Sequence, residues 1–206
     1  GSTTGAASSR QLRGAGRRRP HVLAVVVSAL LLAVLGTSLW SPARASAEGE
    51  TYLIATDTTF APFEFQDKQG KFVGIDMDLI RAIAEDQKFN VDIKPLGFDA
   101  ALQAVQANQV DGVIAGMSIT DKRKQVFDFS EPYFESGIQM AVLKTNNDIK
   151  SYDDLRGKRV AVKNGTQGAT FANSIKDKYG FEVVSFADSS SMFDEVKTGN
   201  SVAVFE

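Results

Sequence analysis

Eight residues, Gly116-Met117-Ser118-Ile119-Thr120-Asp121-Lys122-Arg123, carry the clearest chemical signal in the chain, and Phe127-Asp128-Phe129-Ser130 follows closely. Small residues that expose the backbone, then a hydroxyl, precede a single arginine. Such a set suits a carboxylate: the guanidinium grips both oxygens in a fork, while backbone N–H groups and the Ser118 hydroxyl add donors. The competing reading is a strand ending in a turn, with Arg123 solvated on a short helix. Asp57 and Lys163 stand at the ends of two other strand-like runs, where a cap and a solvated lysine are the bland alternatives. Gly165-Thr166-Gln167-Gly168 is either a tight turn or a helix start whose N–H groups take an anion. Phe60 and Phe98 are core aromatics or the walls of a site.

Catalytic options are few. The chain has no cysteine, which removes disulfides, thiolate metal sites, thiol catalysis and lipid attachment through sulfur. Its one histidine, His21, and one tryptophan, Trp40, lie in a segment unlike the rest. Asp57 and Lys163 are then the only candidates for a general acid or base. Asp76 and Asp78 fit helix-start electrostatics better than a metal site or an acid/base pair. No cofactor and no metal is expected.

The positioning elements alternate. Strand-like runs are Tyr52–Thr56, Val91–Leu96, Val110–Gly116, Phe127–Phe129, a run after Gly137, Arg159–Lys163, Glu182–Phe186 and Ser201–Phe205. A hairpin is expected over Phe65–Val73. Helical spacing appears over Gly74–Lys88 (at Ile75, Leu79, Ile80 and Ile83), Asp99–Asn108 (Leu102 and Val105 inward), Asp121–Gln125, Gly168–Tyr179 and Ser190–Lys197. Alternation of this kind predicts an α/β fold with mostly parallel sheets. Ligands of such sheets sit at the carboxyl ends of strands, which is where Asp57, Gly116, Ser118 and Gln167 fall.

Charge divides the chain in two. Residues 1–47 carry six arginines and no acid, for +6; residues 48–206 carry 17 basic and 25 acidic groups, for −8. The first part reads as a leader: Arg17-Arg18-Arg19, an apolar run over Val22–Leu35, then Ala45-Ser46-Ala47 as a cleavage site. That run is short for a membrane span, which needs about 20 residues. Export follows, to the periplasm or the outer face of the plasma membrane. An acidic body argues against nucleic acid or an anionic membrane as partner.

Four motifs now stand in order: Tyr52 to Phe65 (with Asp57-Thr58-Thr59-Phe60-Ala61-Pro62-Phe63-Glu64), Gly74-Ile75-Asp76-Met77-Asp78-Leu79, Gly116 to Tyr133, and Val162-Lys163-Asn164-Gly165-Thr166. Together, over residues 51–206, they resemble the amino-acid-binding proteins of bacterial ABC importers, nearest the glutamine-binding type. Ionotropic glutamate receptors share the pattern in their ligand-binding domains. The resemblance implies a two-lobe, type II periplasmic-binding-protein-like α/β fold that closes by hinge motion. It implies a lobe 1 over 51–136, a hinge strand over 137–144 and a partial lobe 2 over 145–206. It places the ligand α-carboxylate on Arg123, and donors or acceptors at Gly116 and Ser118. It puts Phe60 and Phe98 on either side of the aliphatic part, and Asp57 at the side-chain end. Lys163 and Gln167 contribute from lobe 2. It also places an aspartate after Glu206, so that the second lobe reads as incomplete and the 206 residues alone are expected to bind weakly. The implied function is non-covalent capture of a polar amino acid, glutamine first, by a monomer that presents it to an ABC permease. An exported dehydratase on the same scaffold is one alternative, and the sensor part of a membrane receptor is another.

Overall fold

The computed structural model describes residues 2–8 and 49–206; the apolar run, the cleavage site, His21 and Trp40 lie outside the described residues. In chain order the first elements are β1 (Ser2–Thr4), β2 (Ala7–Ser8), β3 (Thr51–Thr56), β4 (Thr59–Phe60), β5 (Glu64–Gln66), β6 (Phe72–Val73), α1 (Ile75–Gln87), β7 (Asn90–Pro95) and α2 (Phe98–Gln106). Then come β8 (Gly112–Val113), α3 (Asp121–Lys124), β9 (Asp128–Phe129), β10 (Phe134–Ser136) and β11 (Met140–Ala141). A 3-10 turn at Tyr152–Leu155 leads to β12 (Arg159–Lys163), α4 (Gln167–Tyr179), β13 (Glu182–Phe186), α5 (Ser189–Lys197) and β14 (Ala203–Phe205).

Two principal sheets result. The first, in lobe 1, runs β7-β3-β8-β2-β9, with β3 parallel to both β7 and β8. Its core joins Ala55, Leu102, Val105, Val113 and Met117, with Phe98 among them. The second, in lobe 2, runs β11-β14-β12-β13, with β12 parallel to β13 and β14. Successive strand side chains point to opposite faces. Val160 and Val162 accordingly join Phe205 and Ala172 of α4 on one face, while Ala161 joins Met192 and Val196 of α5 on the other. Gly168, at the start of α4, lies so close to β14 that a Cβ there would run into the Phe205 carbonyl oxygen.

Three differences from the sequence reading matter. The stripe proposed for α1 is turned: Ile75 and Ile83 are exposed, and Asp76, Met77 and Ala84 are the fully buried positions. Asp76 therefore does more than complement the helix dipole. The Val110–Gly116 run keeps only Gly112–Val113 as strand, although Asp111 and Ile114 also donate their N–H groups to β3 carbonyls. Finally, residues read as the opening of a leader are built into lobe 1. β2 lies antiparallel between β8 and β9, and β1 pairs antiparallel with β10. Thr4 and Ala7 are each 2% exposed, and the Gly5 N–H donates to the Met117 carbonyl.

Candidate functional site

The cleft lies between the two lobes at the strand ends. The local fold sets Arg123 first. Thr120 caps α3, its hydroxyl oxygen accepting from the Arg123 N–H at 3.2 Å. This cap fixes the four-residue helix so that the guanidinium turns back and donates to the Ser118 carbonyl at 2.8 Å. The other arm donates to the Gly165 carbonyl of lobe 2, also at 2.8 Å, and the cation stands 5.5 Å from the Phe98 ring centroid. Burial lowers the guanidinium pKa to about 10, which leaves it charged at neutral pH. A solvated surface arginine is ruled out by these contacts.

Lys163 is not solvated either. It ends β12 at 2% exposure. Its ammonium lies 2.7 Å from Asp57 Oδ2, 2.7 Å from Ser189 Oγ and 3.2 Å from Glu206 Oε1. It also stands 4.5 Å from the Phe60 ring centroid. Asp57 comes from lobe 1 and the other two partners from lobe 2, so one buried cation ties the lobes together. Asp57 itself does not line the cleft; it is fully buried behind Lys163 and also takes the Thr58 N–H at 2.7 Å.

Phe60, Phe98, Gly116, Ser118, Arg123, Lys163 and Gln167 all line one cavity of about 60 Å³, along with Ile138, Thr166, Gly168 and Glu206. Phe98 is thus both a core side chain and a cleft wall. Gly116 holds φ +53°, and a Cβ on it would come within 2.6 Å of the Phe60 ring. Backbone and aromatic wall fit together there only for glycine. Thr166 caps α4, accepting from the Ala169 N–H at 3.1 Å and donating its hydroxyl to the Lys163 carbonyl at 2.8 Å. The cap presents the α4 N-terminus, with Gln167, to the cleft. The Lys163–Asp57 and Arg123–Gly165 contacts join the two sides of this cavity.

Sequence reasoning missed Ser189, Glu206 and Asp76. Ser189 lies in a run of serines at a helix start, Ser189-Ser190-Ser191, which carries no signal of its own. Glu206 Oε1 accepts from the Ser189 hydroxyl at 2.6 Å as well as facing Lys163. Among the described residues no cluster of three histidine, cysteine or acidic side chains could hold a metal ion. Nor is any helix among them long and apolar enough to cross a membrane.

Residues 52–202 match the bacterial extracellular solute-binding proteins, family 3. The lysine/arginine/ornithine-binding periplasmic protein of Escherichia coli (strain K12) is 31% identical over 157 residues, covering 76% of this chain and 60% of that protein. The chain thus spans about three-fifths of the length of the curated relatives it matches. An ancestral arginine-binding protein solved with arginine is 42% identical with TM-score 0.73, covering 77% of this chain and 70% of that one. An ancestral arginine-binding protein solved with glutamine is 42% identical with TM-score 0.72, covering 76% of this chain and 68% of that one. The two lobes therefore have the type II periplasmic-binding-protein fold, and the chain belongs to the bacterial extracellular solute-binding proteins, family 3.

Proposed function

We propose that this chain captures a polar α-amino acid outside the cytoplasm, as a monomer, for delivery to an ABC permease. The observation that carries the reading is Arg123, a buried guanidinium in the cleft that meets lobe 2 through Gly165. Two of its N–H donors are committed to carbonyls, and the fork has others for a carboxylate. Phe60, Phe98, Gly116, Ser118, Lys163 and Gln167 complete the proposed lining, and Asp57 holds Lys163 from behind.

Glutamine is the lead ligand. Lys163 already takes Asp57 and Glu206, acids that a cationic side chain would seek. Lys163 also occupies the face of Phe60 that a cationic side chain would seek. A basic amino acid is the second reading, favoured by the relatives whose names record lysine, arginine, ornithine or histidine. Dehydratase chemistry has less support: its only acid/base candidates, Asp57 and Lys163, are bonded to each other at 2.7 Å. A thermal-shift screen against the amino acids tests the reading. Stabilisation by glutamine above all others supports it; a basic amino acid in first place moves the assignment to the second reading.

A further inference from the structure

Glu64, opposite Phe60 in the β4–β5 hairpin, is fully buried, and neither of its carboxyl oxygens meets a hydrogen-bond donor. The polar group within hydrogen-bonding reach is another carboxylate, Asp76. Asp76 is equally buried, and both of its oxygens are occupied. Oδ2 takes the Gly116 N–H at 2.6 Å, and Oδ1 takes the Tyr133 hydroxyl at 2.8 Å. Two carboxylates have only acceptors to offer each other, so the contact is a hydrogen bond only when one carries a proton.

The surroundings decide which one. Asp76 sits in the first turn of α1, where the helix dipole favours an anion, and it has two donors. Glu64 has none. The other charged groups facing it are Asp57 and Lys163. The ammonium donates to Asp57 and Ser189 and is ion-paired with Glu206. An ionised Glu64 would be an unpaired buried charge among like charges.

We propose that Glu64 is a positioning residue for the cleft, neutral at physiological pH, whose carboxyl proton is donated to Asp76 so that Asp76 holds the Gly116 amide against the Phe60 wall. The chain of contacts runs from Glu64 to Asp76 to Gly116, where a Cβ would run into the Phe60 ring. Tyr133 locks the other oxygen of Asp76, and burial beside that carboxylate pushes its hydroxyl pKa upward, so it stays a donor. Burial and the neighbouring Asp76 push the Glu64 carboxyl up to about 11. The protonation claim is independent of the ligand; its consequence for binding rests on the cleft being an amino-acid site.

The test is carboxyl-carbon NMR on the 206-residue chain labelled at glutamate, with Glu64→Gln identifying the signal. Glu64 is expected at the neutral-acid position with no step between about pH 5 and about pH 9. A carboxylate signal at neutral pH overturns the proposal. Binding of L-glutamine and L-arginine supplies the second arm. Glu64→Leu, which offers Asp76 no donor, is expected to weaken the preferred ligand on the order of tenfold, and Glu64→Gln, which keeps an N–H donor, to restore most of that loss. Equal weakening by both variants overturns the positioning role. If neither amino acid binds the wild-type chain, the cleft assignment fails while the NMR result still decides the protonation state.

Discussion

Arg123 and Lys163 are the two residues on which the cleft depends, and they depend on it differently. Arg123 keeps its charge through carbonyl contacts and one aromatic face, so its removal leaves no ion unpaired within the protein. Arg123→Ala is expected to leave folding largely intact and to cost about 3 kcal/mol of amino-acid affinity, because the ligand carboxylate loses its counter-ion. Calorimetric titration checks this, and an unchanged dissociation constant would refute the role. Lys163→Met is the opposite case. It strands Asp57 and Glu206 without their cation, which costs about 3–5 kcal/mol when a buried pair is broken. Chemical denaturation should show that loss even without ligand. Glu64 adds a pH signature. Its pKa is raised on folding from 4.5 to about 11, so folding takes up a proton between those values. The neutral form stabilises fully below about pH 4.5, and that contribution falls as pH rises toward 11, by up to about 1.4 kcal/mol per pH unit. Glu64→Gln should remove that slope from a denaturation series; an unaltered slope would contradict the assignment.

At the scale of elements, the N-terminal strands make the sharpest prediction. β2 separates β8 from β9 and gives each a hydrogen-bonding neighbour, so lobe 1 has unpaired inner edges without it. Ala7→Arg would place a charge at a 2% exposed position in that sheet. The expected result is a loss of several kcal/mol in chemical denaturation, with lobe 1 residues exposed to amide exchange first. Lobe 1 protection equal to the wild type would show that β2 is dispensable. The sequence made α4, β12 and β13 legible because periodicity, caps and turns agreed locally. It did not reveal β1 and β2. Ser2-Thr3-Thr4-Gly5-Ala6-Ala7-Ser8 has neither alternation nor an apolar run, and its pairing is set by partners more than 100 residues away. The turned face of α1 escaped for a related reason. An aspartate looks like a solvent residue until the amide and hydroxyl it serves, on Gly116 and Tyr133, are brought to it by the fold.

For the molecule as a whole, two lobes meet across a small cavity through direct contacts. Lys163 with Asp57, and Arg123 with Gly165, are inter-lobe bonds in the structure. The Gly116–Arg123 stretch and Phe60 stand in short motifs legible in the sequence, whereas Phe98 lies outside them. The tie through Ser189 and Glu206 could not, since it joins residues distant in sequence and ordinary in type. The central claim is a cleft that recognises an α-amino acid by its carboxylate. The most direct measurement is calorimetric titration of the chain with L-glutamine and with its α-carboxamide. The account predicts saturable one-to-one binding of glutamine and loss of most affinity for the amide. Equal affinity for the two, or binding of neither glutamine nor any other amino acid, would contradict it.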